Sequence, residues 1–335
     1  MILIPKYALG SGNTPTIAMP GTEVEGRYRA VLTDFNGDTK VDTGWIHNLL
    51  TNKGVEKMGA GFNRPFVTGW LGSGSTSPAY TDVGVESLVW VSANGKAGTE
   101  NSWERLETPT YGVRSGYSWT WPTGQATATL REFCTTASYD YHYLRASDSV
   151  TMRVLFPVPI VKEAMDQLTV YYEYFTYPEL SDISGVVDIQ GVPYDYTARI
   201  FKINALTKYP TGGISSFDNG GYFHAIINSG NSHPNLVPIT GTASNTYSRA
   251  HAMGASSYTG IGTGSVTQTS EIIWGIDRGN VGEFRNVYIL TNQFAWNAGG
   301  GIQISIGKTS DGTKHLKENT HELMLSASVS TTRIP

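Results

Sequence analysis

The feature that most constrains the fold is alternation, because in several runs apolar residues occupy every second position. This is the period of a β-strand that buries one face. The pattern is clearest at residues 149–156, 167–177, 301–307 and 321–330. Asn-Gly pairs at residues 36–37, 94–95 and 219–220 are typical of short hairpin turns. We therefore expect an all-β fold, an antiparallel β-sandwich of the jelly-roll kind with long loops.

The alternation also predicts which side chains of each strand are buried. In the first run one face consists of Val150, Met152, Val154 and Phe156, with Thr151 and Arg153 on the other. In the second run the apolar face is Leu168, Val170, Tyr172 and Tyr174, and the opposite face is Thr169, Tyr171, Glu173 and Phe175. The later runs place on their buried faces Ile302, Ile304, Ile306, Leu323, Leu325, Ala327 and Val329.

A single segment has the period of a helix instead. Its apolar residues fall on one face at helical spacing, namely Ile46, Leu49 and Leu50. Asp42 or Thr43 can cap the first free amides, and Gly54 stands at a position where helices commonly end. The sequence therefore predicts one short helix near residues 43–58.

The sequence is predicted to divide into an arm and a main domain. Residues 1–22 contain three prolines and no sustained period, which favours an extended N-terminal arm. Residues 23–335 are predicted to form one β-sandwich domain with a loop-rich insertion at about 208–270, where apolar residues are few. The alternative is two β domains, at residues 23–207 and 208–335.

Charge and apolar content exclude several classes of partner. The chain has 24 basic and 28 acidic residues, so it lacks the basic character of a nucleic-acid-binding protein. The longest apolar run, residues 154–161, is far shorter than the roughly 18 residues that span a bilayer. We expect no nucleic-acid partner and no membrane insertion. The first residues lack a signal-peptide core, and Cys134 has no second cysteine to pair with, so we expect synthesis in a reducing cytoplasm.

Motifs for catalysis or metal binding are weak. Asp34, Asn36 and Asp38 have the spacing of a calcium loop, but Thr39 and Trp45 stand where an EF-hand needs Gly and Glu. A plain hairpin turn is the favoured interpretation of this segment. The run around Cys134 is strand-like, which favours a buried, inert thiol. We therefore predict no catalytic residue, no metal ligand and no cofactor, and a protein that is not an enzyme.

Aromatic side chains are the remaining candidates for a binding surface. Alternation places Tyr139, Tyr141 and Tyr143 on one face of a tyrosine-rich run, and Tyr171 belongs to a second such run. The late, loop-rich part of the sequence adds Trp274 and Trp296. Rings with polar tips can fill a subunit interface or stack on sugars. Ordinary sheet packing is the competing explanation, since tyrosine has a high strand propensity.

Three stretches, at residues 43–59, 67–89 and 304–330, together resemble virion structural proteins of tailed bacteriophages. In the middle stretch a strand leads into a Gly-Ser-Thr loop that ends in Ser-Pro-Ala, followed by Thr-Asp and a hydrophobic strand. This pattern is similar to tail, collar or fibre-associated subunits. The resemblance implies a β-sandwich subunit that forms a homo-oligomeric ring or trimer and binds other tail or capsid proteins. It also implies a virion protein assembled in the host bacterial cytoplasm.

Two other functions stay open. A receptor- or carbohydrate-binding tail-tip protein would use the aromatic candidates on a host surface glycan. A hydrolase of cell-surface polysaccharide would need paired carboxylates in a groove. Charged residues make up 16% of the chain, against about 25% in typical domains. Because interfaces are depleted in Lys, Glu and Asp, this low charge favours the structural subunit.

Overall fold

The computed structural model describes residues 16–59, 66–91, 99–106, 110–137, 150–189 and 191–201, and shorter stretches beyond them. The shorter stretches are residues 224–228, 248–249, 253–260, 264–274, 282–284, 286–290, 301–308, 315–317 and 323–334. These residues contain 22 strands and one helix. No helix among them is long and apolar enough to cross a bilayer.

The first half of the chain contributes β1 (Thr16–Ala18), β2 (Thr22–Thr33), β3 (Thr39–Asp42), β4 (Ile46–Leu50), α1 (Asn52–Gly59), β5 (Thr68–Gly72), β6 (Leu88–Val91), β7 (Thr99–Leu106), β8 (Gly112–Trp121), β9 (Ala128–Thr136), β10 (Val150–Lys162) and β11 (Gln167–Pro178). The second half contributes β12 (Ile183–Ile189), β13 (Val192–Phe201), β14 (His224–Asn228), β15 (Ser248–Arg249), β16 (Met253–Thr259), β17 (Ser265–Trp274), β18 (Gly282–Phe284), β19 (Asn286–Leu290), β20 (Gly301–Lys308), β21 (His315–Lys317) and β22 (Leu323–Arg333).

Strand β2 organises the largest sheet. One edge of β2 pairs with β11 along its whole length, and the other edge pairs in turn with β22, β4 and β3. Because β4 also pairs with β10, the sheet continues through β10, β9, β5 and β6 and curls over the layer formed by β2, β11, β8 and β7. Most of the pairings are antiparallel. The all-β, antiparallel, sandwich-like fold predicted from the alternation is therefore confirmed.

The core lies between these two layers and is rich in aromatic rings. Trp119 and Trp121 of β8 reach Phe133 of β9, with ring centroids 5.4 and 6.0 Å apart. Tyr28 of β2 meets Phe156 of β10 at 6.3 Å. The predicted apolar faces of β10 and β11 are buried as expected, and they contribute Val150, Met152, Val154, Phe156, Leu168, Val170, Tyr172 and Tyr174.

The remaining strands either extend the large sheet or form separate sheets. Strands β16, β17, β22 and β1 extend the large sheet, and a separate six-stranded sheet has the order β12-β13-β20-β19-β14-β15. The backbone amide of Ala18 in β1 donates to the hydroxyl of Tyr196 in β13 at 3.1 Å, which links the two sheets. Ile302, Ile304 and Ile306 of β20 are buried, as their alternation predicted.

The single helix is confirmed, but it begins later than predicted. Residues 46–50 form β4, because β2 and β10 offer hydrogen-bonding edges on both of its sides. Helix α1 starts after Thr51, whose hydroxyl accepts the amide of Gly54 at 2.9 Å. Gly54 does not end the helix; a Cβ there would collide with the carbonyl oxygen of Thr151, so glycine allows α1 to pack closely on β10.

The structure also bears on the predicted arm and insertion. Residues 1–15 lie outside the described part of the chain, whereas β1 is a strand of the large sheet and buries Ile17 completely. Within residues 208–270 the described stretches form β14, β15, β16 and the first half of β17. Both large sheets contain strands from before and after residue 207, since β13 pairs with β20 and β2 pairs with β22.

Candidate functional site

The predicted aromatic candidates are not brought together among the described residues. Tyr139, Tyr141, Tyr143 and Trp296 lie outside them. Trp274 is the last residue of β17 and is paired with Leu323, and nothing is described of its side chain. Only Tyr171 has a described side chain; it lies on the outer face of β11 and is 38% exposed.

The surface around Tyr171, here called the open face, is the outward side of β2, β11 and β8. Arg27 binds Glu173 at 2.7 Å, and its guanidinium stacks over the rings of Trp45 and Phe175 at 4.8 and 5.1 Å. Phe175 in turn stacks on Tyr177, with the ring planes only 9° apart. Neighbouring side chains therefore cover part of the ring area of Trp45 and Phe175 that a sugar would need.

Ion pairs on the open face remain accessible to water. Arg114 contacts Glu104 at 2.7 Å and Glu173 at 3.3 Å, and 29% of its side chain is exposed. Arg29 and Asp42 form a two-pronged pair at the edge of this face. The hydrogen bond from Arg29, helped by the backbone amide of Gly44, lowers the pKa of Asp42 from 3.8 to about 2.

A second surface is formed by the connection between β5 and β6. This connection, residues 73–87, contains turns and bends but no strand or helix. It lies over the outward faces of β9 and β10 and covers Glu132 and Arg153, which are 0% and 3% exposed. We call residues 73–87 the clasped loop, because these two buried side chains hold it.

Glu132 binds both ends of the clasped loop at once. Its carboxylate accepts the backbone amide of Gly74 at 2.9 Å and those of Glu86 and Ser87 at 3.0 Å. It also receives the guanidinium of Arg153, with Nε at 2.9 Å and a terminal nitrogen at 2.8 Å. Hydrogen bonds from these donors offset the desolvation cost of burying the carboxylate.

Arg153 extends the network toward the middle of the loop. Its guanidinium binds the Asp82 carboxylate at 2.8 Å and the carbonyl oxygen of Thr76 at 3.1 Å. Burial opposes the charged form, but the hydrogen bonds to Asp82 and Glu132 outweigh it and raise the pKa of Arg153. The arginine is therefore a permanent cation that joins two strands to the loop.

Further contacts hold the clasped loop, two of them made by Glu86 and two by Tyr80. The Glu86 carboxylate accepts the amides of Ser75 and Thr76 at 2.8 Å, and these bonds lower the pKa of Glu86. The guanidinium of Arg333 lies 3.4 Å from the ring centroid of Tyr80, whose carbonyl accepts the amide of Asn52 at 2.8 Å. The loop is thus held at both ends and at Tyr80 and Asp82 in its middle.

The exposed side chains of this segment include four large apolar ones, which lie among serines, threonines and Glu86. The exposed fractions are 55% for Val83, 51% for Leu88, 42% for Tyr80 and 38% for Trp90. Asp82 and Glu86 are the only charged residues between residues 73 and 91, and both are bound within the loop. We call Tyr80, Val83, Leu88 and Trp90 the loop surface. An ordered surface with large exposed apolar side chains and few charges is suited to contact with another protein.

Two further segments considered in the sequence have described side chains, the Asp34–Asp38 turn and the strand around Cys134. Asp34 accepts the amides of Asn36 and Asp38 at 2.9 Å, which is a hairpin turn between β2 and β3. Cys134 is fully buried, and burial raises the pKa of its thiol. In the described part of the chain, no three His, Cys, Asp or Glu side chains come together in a group that could hold a metal ion.

Comparison of this chain with protein-family models, with curated proteins and with solved structures finds no match.

Proposed function

We propose that this chain is a structural subunit of a bacteriophage virion, a tail, collar or fibre-attachment component that assembles as a homo-oligomer and binds neighbouring virion proteins. The clasped loop carries the proposal. The stretch whose pattern is most similar to such subunits, residues 67–89, consists of β5, the clasped loop and the start of β6. In this proposal the loop surface is the contact with the next subunit.

The physical argument begins with the order of the loop. Fixing fifteen residues without regular structure has a large entropic cost, and here the buried Glu132–Arg153 pair offsets it within the folded subunit. A surface ordered before association loses less entropy on binding, so it binds more tightly for the same contacts. The exposed Val83 and Leu88 then add apolar area that water leaves on assembly.

The experiment compares two valines of similar exposure on different surfaces. Val83 on the loop surface is 55% exposed, and Val186 on β12 is 62% exposed. We expect Val83→Asp to shift the mass in solution from oligomer to monomer, because it places a charge in the contact, while Val186→Asp leaves the mass unchanged. Light scattering coupled to size-exclusion chromatography measures both. A wild-type monomer at high concentration, or equal effects of the two substitutions, would contradict the proposal.

Carbohydrate binding at a tail tip is the second candidate. Its support is the exposure of Trp45, at 40%, and of Tyr171, at 38%, on the open face. The stacking of Arg27 and Tyr177 on neighbouring rings reduces the area that a sugar could cover. Binding on a glycan array that is lost in Trp45→Ala and Tyr171→Ala, and retained in Val83→Asp, would favour this function over the structural one.

A further inference from the structure

One end of the sandwich, here called the hairpin end, is built from three tight connections: residues 34–38, 122–127 and 163–166. The amide of Gly124 donates to the carbonyl of Ala164 at 2.6 Å, which joins the second connection to the third. Lys40, just after the first connection, binds the Asp166 carboxylate at 2.9 Å and Glu163 at 3.2 Å. The three connections therefore form one rigid unit.

A buried lysine, Lys162, also joins two of these connections. Lys162 is 1% exposed, and its ammonium donates to the carbonyl oxygens of Pro122 at 3.1 Å and Asp166 at 2.5 Å. Burial lowers the pKa of Lys162, which shows that its position has a desolvation cost. The two hydrogen bonds from Lys162 to backbone carbonyl oxygens offset this desolvation cost and hold the two connections together.

Two large apolar side chains project from the rigid unit. Phe35 lies in the connection that follows β2, and Met165 lies in the connection that precedes β11, the strand whose Gln167 is paired with Thr33 of β2. Phe35 is 69% exposed and Met165 is 59% exposed, although both lie beside well-ordered turns. Val161, 57% exposed, lies at the adjoining end of β10. Exposed apolar groups held in fixed positions are typical of a binding surface.

The charge around these side chains is mainly negative. The three connections contain four acidic residues and no basic one. Lys40 pairs with both Asp166 and Glu163, so the four carboxylates still outnumber this one ammonium, and 70% of the Glu163 side chain is exposed. A partner that fits must therefore present apolar side chains next to a positive charge.

We propose that the hairpin end binds residues 1–7 of a second copy of this chain. That segment reads Met-Ile-Leu-Ile-Pro-Lys-Tyr, so its apolar residues are followed by Lys6, which is the only charged side chain in residues 1–15. The inference rests on the proposed function, since it requires subunits that assemble.

The geometry favours a second copy over the same chain. Thr16 is paired with Ser326, five residues before the position on β22 that faces the start of β2, and β2 then runs away from it to Thr33. Thr16 therefore lies at the end of the β1–β2 run opposite to the hairpin end, so the chain enters the described fold on the side away from Phe35 and Met165.

The experiment mixes two variants under mild oxidation, each with one cysteine added to the native Cys134. One chain carries Leu3→Cys, and a longer, tagged chain carries Met165→Cys. We expect a crosslinked heterodimer on a non-reducing gel. The matched control replaces the second chain with Val186→Cys, which is equally exposed but distant from the hairpin end, and we expect no crosslink there. Wild-type chains test whether the buried Cys134 reacts.

The outcomes separate this inference from the proposed function. A crosslink with Met165→Cys alone supports the inference. No crosslink, or equal crosslinking to Val186→Cys, overturns it, and if the wild type is still oligomeric by light scattering the proposed function survives. A crosslink that forms only within a doubly substituted single chain would also overturn it, because the segment would then bind its own hairpin end.

Discussion

The clasped loop and the open face use the same chemistry on opposite layers of the sandwich, with different consequences. Each is centred on a glutamate that receives an arginine through two nitrogens, Glu132 with Arg153 and Glu173 with Arg27. On β9 and β10 the pair is covered by fifteen residues of loop, and Glu132 and Arg153 expose 0% and 4% of their side chains. On the open face Arg27 contacts the rings of Trp45 and Phe175 but no loop covers the pair, and Arg27 and Glu173 expose 30% and 10% of their side chains.

The difference shows what the loop gains from the ion pair. A pair that water reaches stabilises a protein little, because water competes for both charges. A covered pair cannot be broken without leaving a charge in the interior, so every group that satisfies it is held in place. At Glu132 those groups are the amides of Gly74, Glu86 and Ser87, and the result is an ordered loop surface.

The largest expected effect comes from removing the charge at each centre. Glu132→Gln leaves Arg153 with Asp82 alone and turns an amide group toward backbone donors, so we expect a loss of about 3–5 kcal/mol in the free energy of unfolding. Glu173→Gln leaves its arginines in contact with water and Glu104, and we expect a loss of about 1 kcal/mol. Guanidinium denaturation measures both. Equal losses would show that the covering loop does not change how much the ion pair contributes to the free energy of unfolding.

A smaller effect is expected from pH at the rim of the open face. Because the folded-state pKa of Asp42 is about 2, below its usual 3.8, its contribution is complete above pH 3.8 and is lost as the pH falls toward 2. We expect wild type to exceed Asp42→Asn in stability by less than about 1 kcal/mol near neutral pH, because the pair is exposed.

Thermal unfolding of the two proteins across this acidic range checks the dependence. The difference between wild type and Asp42→Asn should shrink as the solution is acidified. A difference that grows at lower pH would mean that the carboxylate of Asp42 is not stabilised in the folded state.

Much of the layer structure follows from local pattern. In β11 every second side chain is apolar, and the buried face from Leu168 to Tyr174 is the face that the alternation predicts. The helix was placed less well, because Ile46, Leu49 and Leu50 satisfy helical spacing while β2 and β10 supply strand partners. Periodicity describes one segment at a time, whereas the choice between helix and strand for residues 46–50 depends on pairing with β2 and β10, which are distant in sequence.

The burial of Glu132 and Arg153 beneath the clasped loop could not be predicted from the same patterns. Arg153 was expected on the face opposite Val154, which is correct, but an outward arginine is ordinarily exposed. Its burial requires residues 73–87 to fold back over β10, and its partner Glu132 is 21 residues away in sequence. One available signal was the long run of small, mostly uncharged residues after β5, which marks a loop that something else must hold.

The most direct test of this account is amide hydrogen exchange in wild type and Glu132→Gln under conditions where both are folded. Hydrogen bonds to a charged group stabilise by about 1.5–3 kcal/mol, so their loss should speed exchange on the order of tenfold to a hundredfold. We predict this increase for the amides of Gly74, Glu86 and Ser87, with amides of β11 unchanged. Equal exchange of these three amides in the two proteins would contradict the claim that the buried Glu132–Arg153 pair orders the clasped loop.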